Sequence, residues 1–338
     1  MPKKKEHETQ AAPFVVGMDL GGTKILAAVV DSSGHLVAEA KVRTKAEKGP
    51  DAVIERIAET AQQATREAKI DWREVLGIGI GVPGPMNPET GVVYHPPNLP
   101  GWDEIAVGPR LSEALGVPVH LENDVNLGTL GEHALGAGRG TRDMVGVFIG
   151  TGVGGGLILD GKLRSGFRHA AAEVGHMIVL ADGPVCGCGK RGCLESVASR
   201  TAIERDLRLG LAAGRASLLP KLMGDEGRLT SGVLAEAVQR GDPLVTEVIA
   251  RAQWYVGLLI ASIVNMIDPE MIVMGGGVVE ALGAGFLDPI RVTARQYYIQ
   301  QAGADEVRIV PAQLGDYAVV LGAAALVRQR AQPSASPR

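Results

Sequence analysis

One arrangement of elements occurs twice in this chain: a strand, a glycine-rich turn, a second strand and a further turn. The first copy is FVVGMDLGGTKILAAVVDSSGHLVAEAKVRT, from residue 14, and the second is DMVGVFIGTGVGGGLILDGKLRSG, from residue 143. Short apolar runs separated by Asp-Ser-Ser-Gly and Asp-Gly signals are typical of antiparallel hairpins. The repetition predicts two similar lobes, each of which begins with a glycine-turned hairpin.

Periodicity and turn signals predict further strands and helices beyond the two hairpins. In the first half we expect a helix over about 50–69, a buried strand at VLGIGIGV, a helix over about 103–115 and a short strand in VPVHLEND. In the second half we expect strands at EMIVMGGGV and near VRIVPAQ, and a last helix over Ala318–Arg328. The pattern is that of an α/β protein.

The apolar run Leu244–Ile267 raises the question of a membrane span. It contains Glu247, Arg251, Gln253 and Asn265, and its uncharged part is shorter than the ~20 residues that a span requires. We therefore predict a buried helix and no membrane partner.

The termini and the net charge favour a cytoplasmic protein. The first residues, MPKKKEHETQAAP, lack the apolar segment of a signal peptide. We expect residues 1–13 and 329–338 to be disordered tails. The formal net charge of −4 does not favour a nucleic-acid partner.

Two glycine loops, DLGGTK (19–24) and GTGVGGG (150–156), are candidates for binding phosphate. Neither is a P-loop or a dinucleotide fingerprint, because no helix follows either of them. Glycine permits backbone angles that direct successive N–H groups at one anion, and it lets phosphate oxygens approach closely. Either loop alone is equally compatible with an ordinary hairpin, but the pair favours nucleotide binding by Asp19, Gly21, Gly22, Thr23, Lys24, Gly150, Thr151, Gly152 and Gly154.

All three cysteines lie within eight residues, downstream of one histidine. His176, Cys186, Cys188 and Cys193 have the spacing H-x9-C-x-C-x4-C, and three cysteines with one histidine are typical of a closed structural zinc site. The CxxC of a thioredoxin-like redox motif is absent. A Cys188–Cys193 disulfide is conceivable, but it leaves Cys186 unexplained in a reducing compartment.

Taken together, DLGGTK, ENDVN (122–126), GTGVGGG, and EVGH (173–176) followed by CGCGKRGCLES resemble the ROK family of sugar kinases, within the actin-like ATPase superfamily. The resemblance covers about residues 14–328. It implies a two-lobed, ribonuclease H-like α/β fold, in which each lobe is a mixed sheet with helices and the active site lies in the cleft between the lobes. We expect a small lobe over 14–123, joined by a C-terminal helix over 317–328, and a large lobe over 124–316.

The resemblance implies that Asp124 is the catalytic base and that Asn123 binds the sugar. The local sequence alone favours a different role for Asp124, as the cap of the following helix. Glu122 is the poorer candidate, since alternation along the strand points it away from the neighbours of Asp124. By analogy with the superfamily, Asp19 lies near Mg²⁺ and the γ-phosphate, with its contact to the metal through water.

The family also assigns Glu173, His176 and Glu195 to the sugar hydroxyls, although either glutamate alone could be a solvated or helix-capping residue. His176 would then hold zinc with one ring nitrogen and reach the sugar with the other. On this basis the loss of a cysteine is expected to weaken sugar binding and stability and to leave the ATP loops untouched.

The loop GVPGPMNPETGVVYHPPNLPGW (81–102) resembles that of family members with glucokinase activity. The resemblance implies that Asn98 binds a sugar hydroxyl and that the backbone of Gly81–Pro85 lines the pocket. The alternative is a rigid connector stiffened by proline. The family also supports approach of the nucleoside to Gly275, Gly276 and Gly277.

These features predict phosphorylation of glucose at its 6-hydroxyl by ATP, with ADP as the second product. The resemblance to the family implies a homodimer or homotetramer. Mannose, fructose, N-acetylglucosamine and N-acetylmannosamine are alternative substrates. A non-catalytic sugar-sensing regulator and a chaperone-type ATPase of the same superfamily are alternatives of other classes. The regulator is disfavoured because only about 13 residues precede the first strand, and because Asp124 and the DLGGTK loop are intact.

Overall fold

The computed structural model describes residues 13–96, 98–224 and 227–332. The disordered tails expected over 1–13 and 329–338 lie mostly outside these ranges. The last helix extends into the segment that was expected to be the C-terminal tail and ends at Ala331. The chain divides into two compact units. One takes in the described residues up to Leu135 together with those from Asp316 onward, and the other spans Gly136–Gly315.

In chain order, the strands of the described residues are β1 Phe14–Leu20, β2 Lys24–Val30, β3 Leu36–Arg43, β4 Val75–Val82, β5 Met86–Asn87, β6 Val92–Val93, β7 Ile105–Ala106, β8 Val119–Asn123, β9 Met144–Ile149, β10 Val153–Leu159, β11 Lys162–Leu163, β12 Met271–Gly275 and β13 Arg308–Pro311. The helices are α1 Pro50–Ala68, α2 Val107–Leu115, α3 Asp124–Leu135, α4 Glu195–Ala198, α5 Arg200–Ala212, α6 Leu219–Met223, α7 Ser231–Gln239, α8 Pro243–Ile267, α9 Gly277–Leu282, α10 Ala284–Gln296 and α11 Ala318–Ala331.

The main sheet of the first unit has the strand order β3-β2-β1-β4-β8. The predicted hairpin forms its antiparallel half, and β4 and β8 continue it in parallel with β1. The register pairs Asp19 with Gly81 and Gly81 with Glu122. The carboxyl ends of three parallel strands therefore meet at one edge of the sheet, which is where open α/β sheets bind ligands.

The helix expected over about 103–115 begins later, at Val107, because Ile105 and Ala106 form β7 and pair with β6. This short strand belongs to a separate three-stranded sheet, β5-β6-β7. That sheet is formed by the loop from Gly81 to Trp102 and the residues just after it. Trp102 is only 2% exposed, so it anchors the loop in the core of this unit.

Helices α3 and α11 pack with their backbones in contact. A Cβ on Gly322 would lie 1.8 Å from the carbonyl oxygen of Leu127, and one on Gly131 would lie 2.2 Å from that of Ala318. Only glycine fits at such an approach. Because α3 is joined to α11 in this way, the division of the chain falls after Leu135 rather than after residue 123, where the sequence suggested it.

The second unit repeats the plan of the first. Its sheet has the order β11-β10-β9-β12-β13, with an antiparallel hairpin at β9 and β10 and parallel strands beyond it. Helix α8 matches the predicted apolar helix, and many of its side chains are in the hydrophobic core of this unit. Its length and composition would suit a membrane span, but 61% of its apolar window is buried, as expected for a core helix.

Candidate active site

The first glycine loop joins β1 to β2 and is closed by backbone hydrogen bonds. The N–H of Gly21 donates to the carbonyl of Lys24 at 2.9 Å, and the Thr44 hydroxyl donates to the carbonyl of Gly21 at 2.6 Å. A Cβ on Gly22 would lie 2.9 Å from both the Cβ and the carbonyl oxygen of Asn98. The first phosphate-loop candidate therefore packs directly against the predicted sugar-binding asparagine, whose own side chain is exposed.

Asp19, at the end of β1, is mostly buried close to other charges. Burial, followed by the negative charges of Asp124 and Asp316, raises the pKa of its carboxyl from 3.8 to about 6, against the opposing effect of the Lys24 charge. Lys24 Nζ lies 3.3 Å from Asp316 Oδ2. The two carboxylates singled out in the sequence, Asp19 and Asp124, are thus near enough to influence each other.

Asn123, not Asp124, caps helix α3. Its Oδ1 accepts hydrogen bonds from the N–H groups of Val125 at 2.9 Å and Asn126 at 3.2 Å. Asp124 is the first residue of the helix, and its Oδ1 accepts from Val125 at 2.9 Å. A carboxylate at this position is favoured by the helix dipole. The capping role that the local sequence offered to Asp124 is therefore filled by Asn123.

Glu122 is buried and serves the local structure. Its Oε1 accepts hydrogen bonds from the Asn126 side chain and from the Asn123 N–H, both at 3.0 Å. The residue is 3% exposed, and its carboxylate faces Asn123 and Asn126, whereas alternation along the strand had predicted that it points away from the neighbours of Asp124. Gly81 lies across the strand end from it, where a Cβ would be 3.4 Å from the Cα of Asp124 and 2.4 Å from Val319 Cγ1.

The second glycine loop joins β9 to β10 and is held by the start of helix α5. Arg200 donates from its backbone N–H to the carbonyl of Gly150 at 2.9 Å and from Nη2 to the hydroxyl of Thr151 at 3.2 Å. The Thr201 hydroxyl donates to the carbonyl of Thr151 at 2.8 Å. Sequence reasoning missed Arg200 and Thr201. The only signal was Ser199, whose side chain caps α5 by accepting from Ala202.

The glycines at 275–277 lie beside the second loop. Strand β12 is parallel to β9 with Gly275 opposite Phe148, so the carboxyl ends of the two strands adjoin. Gly276 has a φ of 89°, and a Cβ there would lie 2.6 Å from the carbonyl oxygen of Ile149. Both predicted nucleotide segments of the second unit are therefore on one edge of its sheet.

The predicted metal ligands come together. Ligand atoms of His176, Cys186, Cys188 and Cys193 all lie within 4.8 Å of one another. Cys188 Sγ is 3.8 Å from Cys193 Sγ, and Cys186 Sγ is 3.7 Å from His176 Nδ1. A tetrahedral ion with bonds of about 2.3 Å to sulfur would separate two sulfurs by about 3.8 Å, so the donor set fits a metal. All three cysteines are free, and there is no disulfide between them.

Glu195, the first residue of α4, links this cluster to the second glycine loop. Its Oε2 accepts a hydrogen bond from the Val153 N–H at 3.0 Å, and its Oε1 lies 3.4 Å from Cys186 Sγ. Glu173, by contrast, is exposed and precedes the 3₁₀ turn Val174–His176 without capping it through its side chain. The two glutamates that were predicted to flank the metal site thus have different surroundings.

Comparison with known proteins decides the family. The model of the ROK family matches residues 15–330. The chain belongs to the ROK family. The glucokinase of Thermotoga maritima is 36% identical over 316 residues, which are 94% of this chain and 98% of that protein.

Two solved ROK structures are similar throughout their length. A ROK hexokinase from Thermus thermophilus has a TM-score of 0.80 and 37% identity, covering 94% of this chain and 98% of its own. A ROK family glucokinase from Streptomyces griseus, in complex with glucose and AMPPNP, has a TM-score of 0.77 and 33% identity, covering 94% and 99%. This likeness confirms the α/β fold of actin-like ATPase type that the motifs predicted.

In this ROK protein, Gly22 and Gly152 of the two hairpin loops are needed for space rather than for unusual backbone angles. Both loops are fully described, and neither contains a residue with positive φ. Gly22 admits Asn98, and at Gly152 a Cβ would lie 2.4 Å from Glu195 Oε2. Neither loop uses a left-handed backbone angle, and the close approaches that the structure shows at Gly22 and Gly152 are to protein groups.

Proposed function

We propose that this ROK protein is an ATP-dependent glucokinase, which transfers the γ-phosphoryl group of ATP to the 6-hydroxyl of glucose. The observation that carries the proposal is the nearness of two carboxylates, Asp19 and Asp124, at the carboxyl edge of the first sheet. Phosphoryl transfer requires one group to take the acceptor proton and others to manage the charge of the phosphates. The glucokinases and the hexokinase to which the chain is similar support glucose as the acceptor.

Asp124 is the proposed catalytic base. It begins α3, and Asn123 already caps that helix, so Asp124 is not required as the cap. Its carboxylate would accept the proton of the sugar 6-hydroxyl while the oxygen attacks the γ-phosphorus. Asn123 uses its Oδ1 in the cap, which leaves the amide Nδ2 as the donor for a sugar hydroxyl.

The nucleotide would be bound by the two glycine loops and the glycines at 275–277. Lys24 would offer a cation to the phosphates, and the N–H groups of the second loop would offer hydrogen bonds. Mg²⁺ bound with ATP would neutralise phosphate charge, and Asp19 is the oxygen donor that we expect near it. The buried carboxyl of Asp19 is ionised at neutral pH, since its pKa of about 6 lies below 7.

Asn98, Glu173, His176 and Glu195 are proposed to bind the other sugar hydroxyls, with backbone from Gly81 beside them. Zn²⁺ is the metal that we propose for the cysteine–histidine cluster, because three thiolates and one imidazole at tetrahedral separations suit that ion. His176 faces Cys186 through Nδ1, so Nε2 is the nitrogen left for the sugar. The metal would fix the orientation of that ring. A cytoplasmic homodimer or homotetramer remains our expectation.

The test is a coupled assay of ADP release with Mg²⁺–ATP and a panel of hexoses. We expect turnover with glucose that exceeds turnover with mannose, fructose, N-acetylglucosamine and N-acetylmannosamine. Another preferred hexose would retain the kinase and overturn glucose. Sugar binding without ADP release would favour the non-catalytic sugar-sensing regulator, and ATPase activity indifferent to sugar would favour a chaperone-type protein.

Asp124→Asn tests the base directly. We expect kcat to fall by about 10²-fold to 10⁴-fold, which is the usual contribution of a general base, while sugar affinity is largely kept. Asp51→Asn is the matched control, because Asp51 is exposed on α1 in an ion pair with Arg110. Near-normal turnover in Asp124→Asn would contradict the assignment.

A further inference from the structure

We propose that Glu195 is a positioning residue that couples the metal cluster to the second phosphate loop, so that the state of the cluster sets nucleotide affinity. The inference rests on the proposed kinase function, in which this loop binds ATP, and assigns Glu195 a role apart from sugar binding. It replaces the expectation that loss of the metal site would leave the ATP loops untouched.

The carboxylate of Glu195 has one oxygen on each partner. Oε2 accepts from the Val153 N–H at 3.0 Å, and Oε1 faces the sulfur of Cys186 at 3.4 Å. Gly152 must lack a side chain for this contact, since a Cβ there would lie 2.4 Å from Oε2. The loop is therefore shaped around this carboxylate, and a small shift of Glu195 moves the Val153 amide with it.

The segment that begins at the last metal ligand holds the whole loop. The carbonyl of Cys193 accepts from both the N–H and the hydroxyl of Ser196, which fixes the start of α4 to that ligand. Farther along, Arg200 and Thr201 hold Gly150 and Thr151, as described above. The residues that make these loop contacts therefore all lie within eight positions of Cys193 in the sequence.

The hydrogen bonding also indicates which amides are left for phosphate. The N–H of Gly150 donates to the carbonyl of Gly152 at 2.9 Å, and the N–H of Val153 donates to Glu195. The N–H groups of Thr151 and Gly152 lie between these two fixed points. An anion-binding turn works by holding its donors in place before the ligand arrives, so the Glu195 bond would contribute to nucleotide affinity without touching the nucleotide.

The experiment measures the Kd of AMPPNP with Mg²⁺ and without sugar, by calorimetry on the zinc-loaded protein, so that sugar contacts do not enter. Loss of one hydrogen bond to a partly buried, charged acceptor predicts about tenfold weaker AMPPNP binding in Glu195→Ala. Glu195→Gln keeps an oxygen for the Val153 N–H and offers an amide to the sulfur, so its Kd should stay within about twofold of wild type. Glu204→Ala, which removes an exposed ion pair with Arg208 on α5, is the matched control.

Removal of zinc with a selective chelator tests the coupling itself, with metal content measured in parallel. We expect the wild type to lose about tenfold in AMPPNP affinity and Glu195→Ala to lose little more, because its link is already broken. Equal losses in the two proteins, or an unchanged Kd in Glu195→Ala, would overturn the proposal. Should Glu195→Ala not fold, Glu195→Asp, which keeps the charge but is one methylene too short, is expected to show the same loss.

The kinase proposal and this inference fail separately. A protein that phosphorylates glucose but binds AMPPNP independently of Glu195 and of zinc retains the function and refutes the coupling. A protein that phosphorylates no hexose but shows the expected AMPPNP pattern refutes the glucokinase and retains the coupling.

Discussion

Asp19 is expected to be a residue that costs stability in order to serve the reaction. Burial and the charge of Asp124 raise its pKa from 3.8 to about 6. The folded state therefore binds the proton more tightly than the unfolded state does. The stability that this proton contributes is fully present below about pH 4 and is lost as the pH rises through 6. At neutral pH the group destabilises the fold.

The size of the effect follows from the two pKa values. A shift of one pKa unit corresponds to about 1.4 kcal/mol, so the ionised Asp19 costs about 3 kcal/mol at pH 7.5 and about half of that at pH 5. Asp19→Asn removes the charge with little change in shape. Relative to wild type, the variant should therefore gain about 1.5 kcal/mol more at pH 7.5 than at pH 5. This difference is independent of any cost of burying the amide, because the amide does not titrate.

Urea or guanidinium unfolding of the ligand-free protein at the two pH values measures this difference. If the two units unfold in separate transitions, the transition of the first unit is the one to compare. Turnover of Asp19→Asn should be lost in the same samples. Asp51→Asn, on the surface of α1, should show no such pH-dependent gain. If raising the pH gave Asp19→Asn no added stability over wild type, the reasoning about burial and like charge would be refuted.

Two further predictions concern the same unit. Lys24→Met removes the charge that lowers the pKa of Asp19, so the acid limb of the pH profile of kcat/KM should move to higher pH. An unmoved acid limb would contradict the effect of Lys24 on the Asp19 carboxyl. Gly322→Ala places a Cβ 1.8 Å from the Leu127 carbonyl oxygen and should lower the free energy of unfolding by about 3 kcal/mol. Gly285→Ala, which has open space around its Cβ, is the control and should be neutral or slightly stabilising. Equal effects of the two substitutions in thermal denaturation would contradict the packing argument.

Local patterns in the sequence were enough to predict the elements that frame the site. The two hairpins and α8 follow from apolar periodicity bounded by turn residues, and these signals lie within the element itself. The grouping of His176 with the three cysteines was also predictable, because the four residues lie within an 18-residue segment and tight glycine turns bring them together. Family motifs supplied the fold type, which no local pattern contains.

Contacts between distant segments could not be predicted in this way. Glu195 and Val153 are 42 residues apart, and Lys24 and Asp316 are 292 apart, so no spacing rule connects them. The capping residue of α3 was misjudged for a different reason. Asn and Asp have equal preference for the cap, and only the observed start of the helix shows that Asn123 holds that position.

The tight contact between α3 and α11 has a second consequence, which joins packing to the site. Asp124 begins α3, and its charge repels that of Asp19 at the end of β1. A small retreat of α3 would relieve this repulsion, and the backbone contact at Gly322 resists movement of the helix. Gly322→Ala should therefore lower the pKa of Asp19 as well as the stability, because it displaces α3. If the acid limb of kcat/KM stayed in place in a Gly322→Ala protein that was less stable, contacts other than this helix pair would be holding the two carboxylates together.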